Sequence, residues 1–135
     1  MIIGLGEDLV EIKRIQRLIE EKGERFLQKC FSTSEIELAD NHKTHDRRIA
    51  YFAKRFAAKE SCLKALGTGM RDGLSWHDMS VSNDTLGRPI LHVTGGVEDR
   101  LLTLVPNDQQ PRIHITLADE AGLAKATVIF EATPK

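Results

Sequence analysis

Ile49-Ala50-Tyr51-Phe52-Ala53-Lys54-Arg55-Phe56-Ala57-Ala58-Lys59-Glu60-Ser61-Cys62-Leu63-Lys64-Ala65-Leu66-Gly67 decides the fold of this chain. Ile49, Phe52, Ala53, Phe56, Leu63 and Gly67 recur every three or four residues, which predicts one amphipathic helix over 49–67. At roughly 100° per residue, Glu60 falls about 20° from Ile49 and about 40° from Phe56. A carboxylate therefore stands in the middle of the apolar stripe. Lys64 follows one turn later on the same side, and Lys59 flanks it. A buried charge is costly unless it is paired, hydrogen-bonded or bound to a metal. Two readings stand here: a structural Glu60–Lys64 ion pair, or a functional carboxylate.

Upstream of that helix, Met1 to Leu5 reads as a short buried strand with Asp8 at its end. Ile12, Ile15 and Ile19 give a first helix stopped by Gly23, with Lys13, Arg14 and Arg17 on its other face. Phe26 to Phe31 makes a second short helix. Ser32 with Glu35 is a capping box that opens a third, through about Asp40. His42 to Arg48 is a polar loop leading into the long helix, which Gly67 and Gly69 end.

Downstream the period changes. Met79–Ser82 and Ile90–Thr94 are β-type runs, joined by turn chemistry from Asn83 to Pro89 into an expected hairpin. Val97 to Val105 is an expected helix, and 107–111 a loop. Ile113, Ile115 and Leu117 alternate with His114 and Thr116 in a strand over 112–118, which puts His114 and Thr116 on one face. Residues 119–122 turn the chain into a last strand over 124–132. The class is α+β: N-terminal helices with one long central helix, packed on a mostly antiparallel sheet, in a single domain over 1–135.

The chain has 135 residues with 41% hydrophobic and 29% charged content, ordinary for one soluble globular unit. A formal net charge of −1 gives no footprint for nucleic acid or a membrane surface. No apolar stretch approaches the roughly 18 residues of a membrane span, and Met1 to Gly6 is too short for a secretory core. Cys30 and Cys62 read as buried thiols of a reducing compartment, so a cytoplasmic location is expected.

Asp8 and Glu60, one near a strand and one on a helix, could hold a hard divalent cation. Magnesium takes one or two protein carboxylates and completes its octahedron with water and phosphate oxygens. Lys59 and Lys64 would suit that phosphate. The structural alternative is that Asp8 caps the first helix. Gly67-Thr68-Gly69 could present backbone N–H groups to phosphate or simply end the helix. His114 is a candidate base or phosphate ligand, or a subunit-contact residue. The basic face of the first helix is a solvated surface or a dock for an acidic protein.

Gly4-Leu5-Gly6-Glu7-Asp8-Leu9-Val10-Glu11-Ile12, Lys54 to Ala65, Gly67-Thr68-Gly69, Leu86-Gly87-Arg88-Pro89 and His114-Ile115-Thr116-Leu117-Ala118-Asp119 occur in that order. With these five motifs the chain resembles the bacterial holo-[acyl-carrier-protein] synthases, a family of 4′-phosphopantetheinyl transferases. The resemblance implies transfer of the phosphopantetheine arm of coenzyme A to a serine of apo acyl carrier protein, releasing adenosine 3′,5′-bisphosphate, in support of fatty acid biosynthesis. It implies Asp8 and Glu60 as Mg²⁺ ligands, Lys64 as a phosphate contact and Lys59 as its helper. It implies a homotrimer with sites between subunits, where His114, Thr116 and Gly87-Arg88-Pro89 come from the neighbour to meet the nucleotide. Arg14 and Arg17 would dock the carrier protein. Glu60, directly or through a water, is the candidate base. The rival class is a non-enzymatic nucleotide-binding module.

Two positions depart from the family's pattern. Glu7 stands where a small or β-branched residue is usual, which is expected to add a carboxylate beside the metal. Asp119 replaces a second histidine, whose role therefore does not carry over.

Overall fold

Backbone pairing extends the first strand well past its apolar run. The computed structural model describes residues 1–71 and 73–135. In it β1 spans Ile2–Glu11 and pairs antiparallel with β5, Leu123–Pro134, as far as Glu11 opposite Leu123. Asp8 thus lies within a strand, opposite Ala126. It does not cap the first helix: α1, Ile12–Lys22, starts after Glu11 with no side-chain cap. The polar pair Glu7-Asp8 could not be read as strand from periodicity, because its partner lies at the far end of the chain.

The other early elements lie close to expectation. Helices α2, Glu24–Cys30, and α3, Thr33–Ala39, follow α1, and Ser32 and Glu35 form the full capping box. The long helix α4 runs His45–Leu66, four residues earlier than the apolar stripe, because Thr44 Oγ1 accepts from Arg47 N at 3.1 Å and caps its first turn. Gly67 ends it in the left-handed region at φ 78°. A 3-10 turn, Trp76–Asp78, leads into the hairpin of β2, Met79–Asn83, and β3, Pro89–Val93. Helix α5, Gly95–Thr103, precedes β4, Gln109–Glu120. Pairing with β5 carries β4 into both expected flanking loops, leaving Ala121-Gly122 as the turn.

The main sheet is three-stranded, in the order β1-β5-β4, all antiparallel; the hairpin is separate. Ala124, Ala126, Val128, Phe130 and Ala132 of β5 face α4 and are buried. Their small side chains bring the helix near the sheet. Because α1–α3 and β2 cover α4 from other sides, it is buried nearly all round, not on one stripe.

That centrality forces Lys59 inside, at 0% exposure, beside Glu35, also at 0%. Lys59 Nζ donates to Glu35 Oε1 at 2.6 Å and to Cys30 O at 2.7 Å. Glu35 Oε1 also accepts from Ser32 N, and Oε2 accepts from Val81 N, both at 2.9 Å. The capping glutamate therefore ties α3, α4 and β2 into one knot whose polar groups are satisfied.

Candidate active site

Strand alternation separates Glu7 from Asp8. Asp8 points to the side on which α4 lies, and Lys64 Nζ stands 3.1 Å from its Oδ1 and 3.0 Å from the Glu7 carbonyl oxygen. Glu7 points to the opposite face, where its carboxylate meets Lys125 at 3.4 Å and accepts from Thr127 Oγ1 at 3.3 Å. The additional carboxylate expected from Glu7 beside Asp8 and Glu60 therefore points away; only the backbone of Glu7 reaches the site. Asp119, the other departure, pairs with Lys54 at 3.0 Å and clamps the end of β4 to α4.

Glu60 is not the partner of Lys64. Lys64 pairs with Asp8, and among the described residues Glu60 has no ion pair. Its carboxyl pKa is raised above the ordinary value, first by burial and then by the charge of Asp8, against the opposing pull of Lys64 and Arg14. Two neighbouring carboxylates, one half-buried and unpaired, are an oxygen-donor set short of positive charge. That fits a hard divalent cation. Among the described residues no group of three or more His, Cys, Asp or Glu is placed to hold a metal. The protein's offer at this point is two carboxylates, a number suited to magnesium.

Lys59 does not join this set. Its ammonium is spent on Glu35 and the Cys30 carbonyl, so the expected help to Lys64 at a phosphate is corrected: Lys59 is a structural cation. Cys62 is equally remote from chemistry, since burial pushes its thiol up to about 12.

Glu60 opens onto a cleft of about 560 Å³ between α1, α2 and α4. Leu18, Phe26, Phe56 and Trp76 give it apolar walls, with Phe56 and Trp76 stacked at 5.5 Å. Arg14, Lys22, Arg25 and Lys29 line it as well. Arg14 leans over the Phe56 ring at 5.9 Å, whereas Arg17 lies in a shallow groove with Glu11, Lys13, Gln16 and Glu20. The two arginines expected to act together are thus divided, and only Arg14 flanks Glu60. Arg25 and Lys29 were missed in the sequence. The signal was there, since both stand on the short α2 beside the apolar Phe26.

A second group forms elsewhere. Asp84 Oδ1 accepts from Leu86 N and Arg88 N, both at 2.9 Å, and Asn83 Nδ2 donates to Gly87 O, also at 2.9 Å. These bonds fix the turn that presents Gly87, Arg88 and Pro89. Arg88 and Pro89 share a pocket of about 170 Å³ with Asp84, Ile113 and His114. His114 Nε2 lies 2.9 Å from Glu131 Oε1, and that bond holds the Glu131 carboxyl below its usual range. Thr116 sits further along the same exposed face, opposite Thr127. Gly67 and Gly69, both at positive φ, follow α4, and Arg100 donates to Leu66 O at 3.0 Å just before them. The cleft of Glu60 and the pocket of His114 have no lining residue in common.

This helix-buttressed antiparallel sheet has known counterparts. Residues 4–120 match the 4′-phosphopantetheinyl transferase superfamily, and the chain belongs to it. Within the superfamily the likeness is narrower. The holo-[acyl-carrier-protein] synthase of Xanthobacter autotrophicus is 49% identical over 135 residues, covering 100% of this chain and 98% of that one. The crystal structure of the Neisseria meningitidis holo-[acyl-carrier-protein] synthase matches with a TM-score of 0.82 at 31% identity, over 97% of this chain and 99% of that one. The synthase of Bacillus anthracis in complex with CoA (3′,5′-ADP) matches at 0.78 and 29%, over 98% and 99%. This chain is an enzyme of the holo-[acyl-carrier-protein] synthase family.

Proposed function

We propose that this enzyme transfers the 4′-phosphopantetheine arm of coenzyme A to a serine of apo acyl carrier protein, with adenosine 3′,5′-bisphosphate as the other product. The observation that carries the reading is the unpaired, half-buried Glu60 within reach of the Asp8 charge, with Lys64 on Asp8, beside a cleft whose charged lining is mainly cationic. Asp8 and Glu60 would hold Mg²⁺, which when bound neutralises phosphate charge and fixes its geometry. Lys64 is 54% exposed and can turn from Asp8 to a phosphate oxygen. Phosphoryl transfer asks a protein chiefly for position and charge. The nucleophilic serine arrives on the partner, and the cations around the cleft suit an acidic partner. The setting would be cytoplasmic and the product would serve fatty acid biosynthesis. Among the described residues no helix is long and apolar enough to cross a membrane.

The working unit would be a homotrimer. Leu5 and Leu9 are 64% and 60% exposed on the sheet face opposite α4, the face that also carries His114 and Thr116 on β4, with β5 between the two strands. Packing copies through that face would cover it and could bring Arg88, Pro89, His114 and Thr116 of one chain to Asp8, Glu60 and Lys64 of the next.

The test is the mass of apo acyl carrier protein after incubation with coenzyme A and Mg²⁺. A gain equal to one phosphopantetheine is expected, and no gain at any Mg²⁺ concentration defeats the reading. Mixed reassembly of inactive Glu60→Gln and His114→Ala chains should restore part of the activity. A fully active monomer by light scattering refutes the trimer.

A further inference from the structure

Asp8 comes from a strand and Glu60 from a helix, so their separation depends on how closely the two backbones pack. Gly6 marks the point of contact. It lies two residues before Asp8, on the same face of β1, and is buried. A Cβ on Gly6 would stand 1.9 Å from Ser61 O and 2.7 Å from Ala65 N. Those atoms belong to the turn of α4 that begins beside Glu60 and carries Lys64. The φ of Gly6 is not positive, so conformational freedom does not explain the residue. Helix backbone occupies the space its side chain would need. On the next strand, Ser61 Oγ donates to Ala126 O at 2.9 Å, and Ala126 is the residue paired with Asp8.

We infer that Gly6 and Ser61 are positioning residues for the divalent cation: Gly6 lets α4 settle onto β1, Ser61 pins it opposite Asp8, and together they fix the gap between the two carboxylates. The inference rests on the reading of Asp8 and Glu60 as metal ligands. A methyl group at Gly6 would push the helix backbone back by roughly 1.5–2 Å to reach ordinary contact. Magnesium requires near-ideal octahedral geometry at about 2.0–2.1 Å, while calcium accepts about 2.3–2.6 Å and irregular shells. A widened gap therefore penalises magnesium more than calcium, which simple loss of packing would not do.

The experiment follows the melting temperature of the full chain during titration with MgCl₂ and with CaCl₂, for wild type, Gly6→Ala, Gly4→Ala and Ser61→Ala. Gly4 is the packing control: its Cβ would stand 2.4 Å from Ala65 O, further along the strand from Asp8. Gly6→Ala should raise the half-saturating Mg²⁺ concentration by about 10–100-fold, the range for supports of metal ligands, and that of Ca²⁺ by distinctly less. Gly4→Ala should lower the melting temperature without changing the ratio of the two concentrations. If Gly6→Ala does not fold, Ser61→Ala carries the test, because it deletes one hydrogen bond and adds no atoms; the ratio should move in the same direction by less. An unmoved ratio in the folded variants, or an equal move in Gly4→Ala, overturns the inference. A wild type stabilised by neither ion overturns the metal reading and this inference with it.

Discussion

Lys59 and Lys64 stand little more than one turn apart on α4, and each meets a carboxylate from another element. Lys59 is sealed against Glu35, with the Cys30 carbonyl as a second acceptor and Ser32 N and Val81 N completing the carboxylate. Lys64 is half in solvent, bonded to Asp8 and the Glu7 carbonyl, with the unpaired Glu60 nearby. The first cluster leaves nothing for a ligand to do. The second holds more negative charge than it can neutralise. Saturation of donors and acceptors, more than the presence of charge, separates the closed ion pair from the open one.

The largest effect should come from opening the closed cluster. Lys59→Met leaves Glu35 buried without its cation and should cost about 3–5 kcal/mol, measured by urea or thermal unfolding. Removing both charges with Glu35→Gln and Lys59→Met should cost less than that single change, because no lone charge stays buried. A Lys59→Met protein that melts normally yet loses coenzyme A affinity would return Lys59 to the phosphate site.

The open cluster should behave in the reverse manner. Asp8→Asn and Glu60→Gln should each lower turnover by about 10²–10³, the scale for one lost electrostatic contact in a transition state, with no loss of folding. Glu60→Gln should even melt higher at neutral pH. The folded pKa of Glu60 is raised, so the folded state holds its proton to higher pH than the unfolded state does. Stability from this residue therefore falls as pH climbs through that window. The advantage of Gln is full above the folded pKa and vanishes below the ordinary value of 4.5. Paired melting curves at acidic and neutral pH check the sign.

A smaller effect distinguishes the two arginines of α1. Arg14→Glu should raise the Michaelis constant for carrier protein by about threefold to tenfold at low salt, and Arg17→Glu by less, because only Arg14 borders the cleft. Both effects should fade as salt screens charges beyond about 8–10 Å. Equal effects would place the docking surface along the whole basic face.

The smallest change lies outside both clusters. Ala121 adopts φ 53° in the β4–β5 turn. Ala121→Gly should stabilise by about 1 kcal/mol by relieving left-handed strain, less some entropy, and leave turnover alone.

Local patterns in the sequence located α4, the capping box at Ser32 and the hairpin turn, because each depends on neighbours within a few residues. Glu60 was conspicuous for the same reason: one carboxylate broke a regular apolar repeat. The place of Asp8 inside β1 was not legible, since only β5 extends that strand. Lys59 was misread because Glu35, already explained as a capping residue, is also its ion-pair partner. Glu7 was misassigned because its direction depends on strand alternation that a short first strand did not reach.

The order of the sheet has a consequence for synthesis. β1, with Asp8, has one sheet neighbour, β5, and β5 follows every other element in the chain. While the polypeptide grows at about 5–20 residues per second, α1 to α4 can form early, yet Asp8 stays on an unpaired strand until Leu123 onward has emerged. A nascent chain would carry Glu60 and Lys64 in place with no Asp8 opposite them. The carboxylate pair would thus be complete only with the closing of the sheet, and a prematurely terminated chain would lack it even with its helices folded.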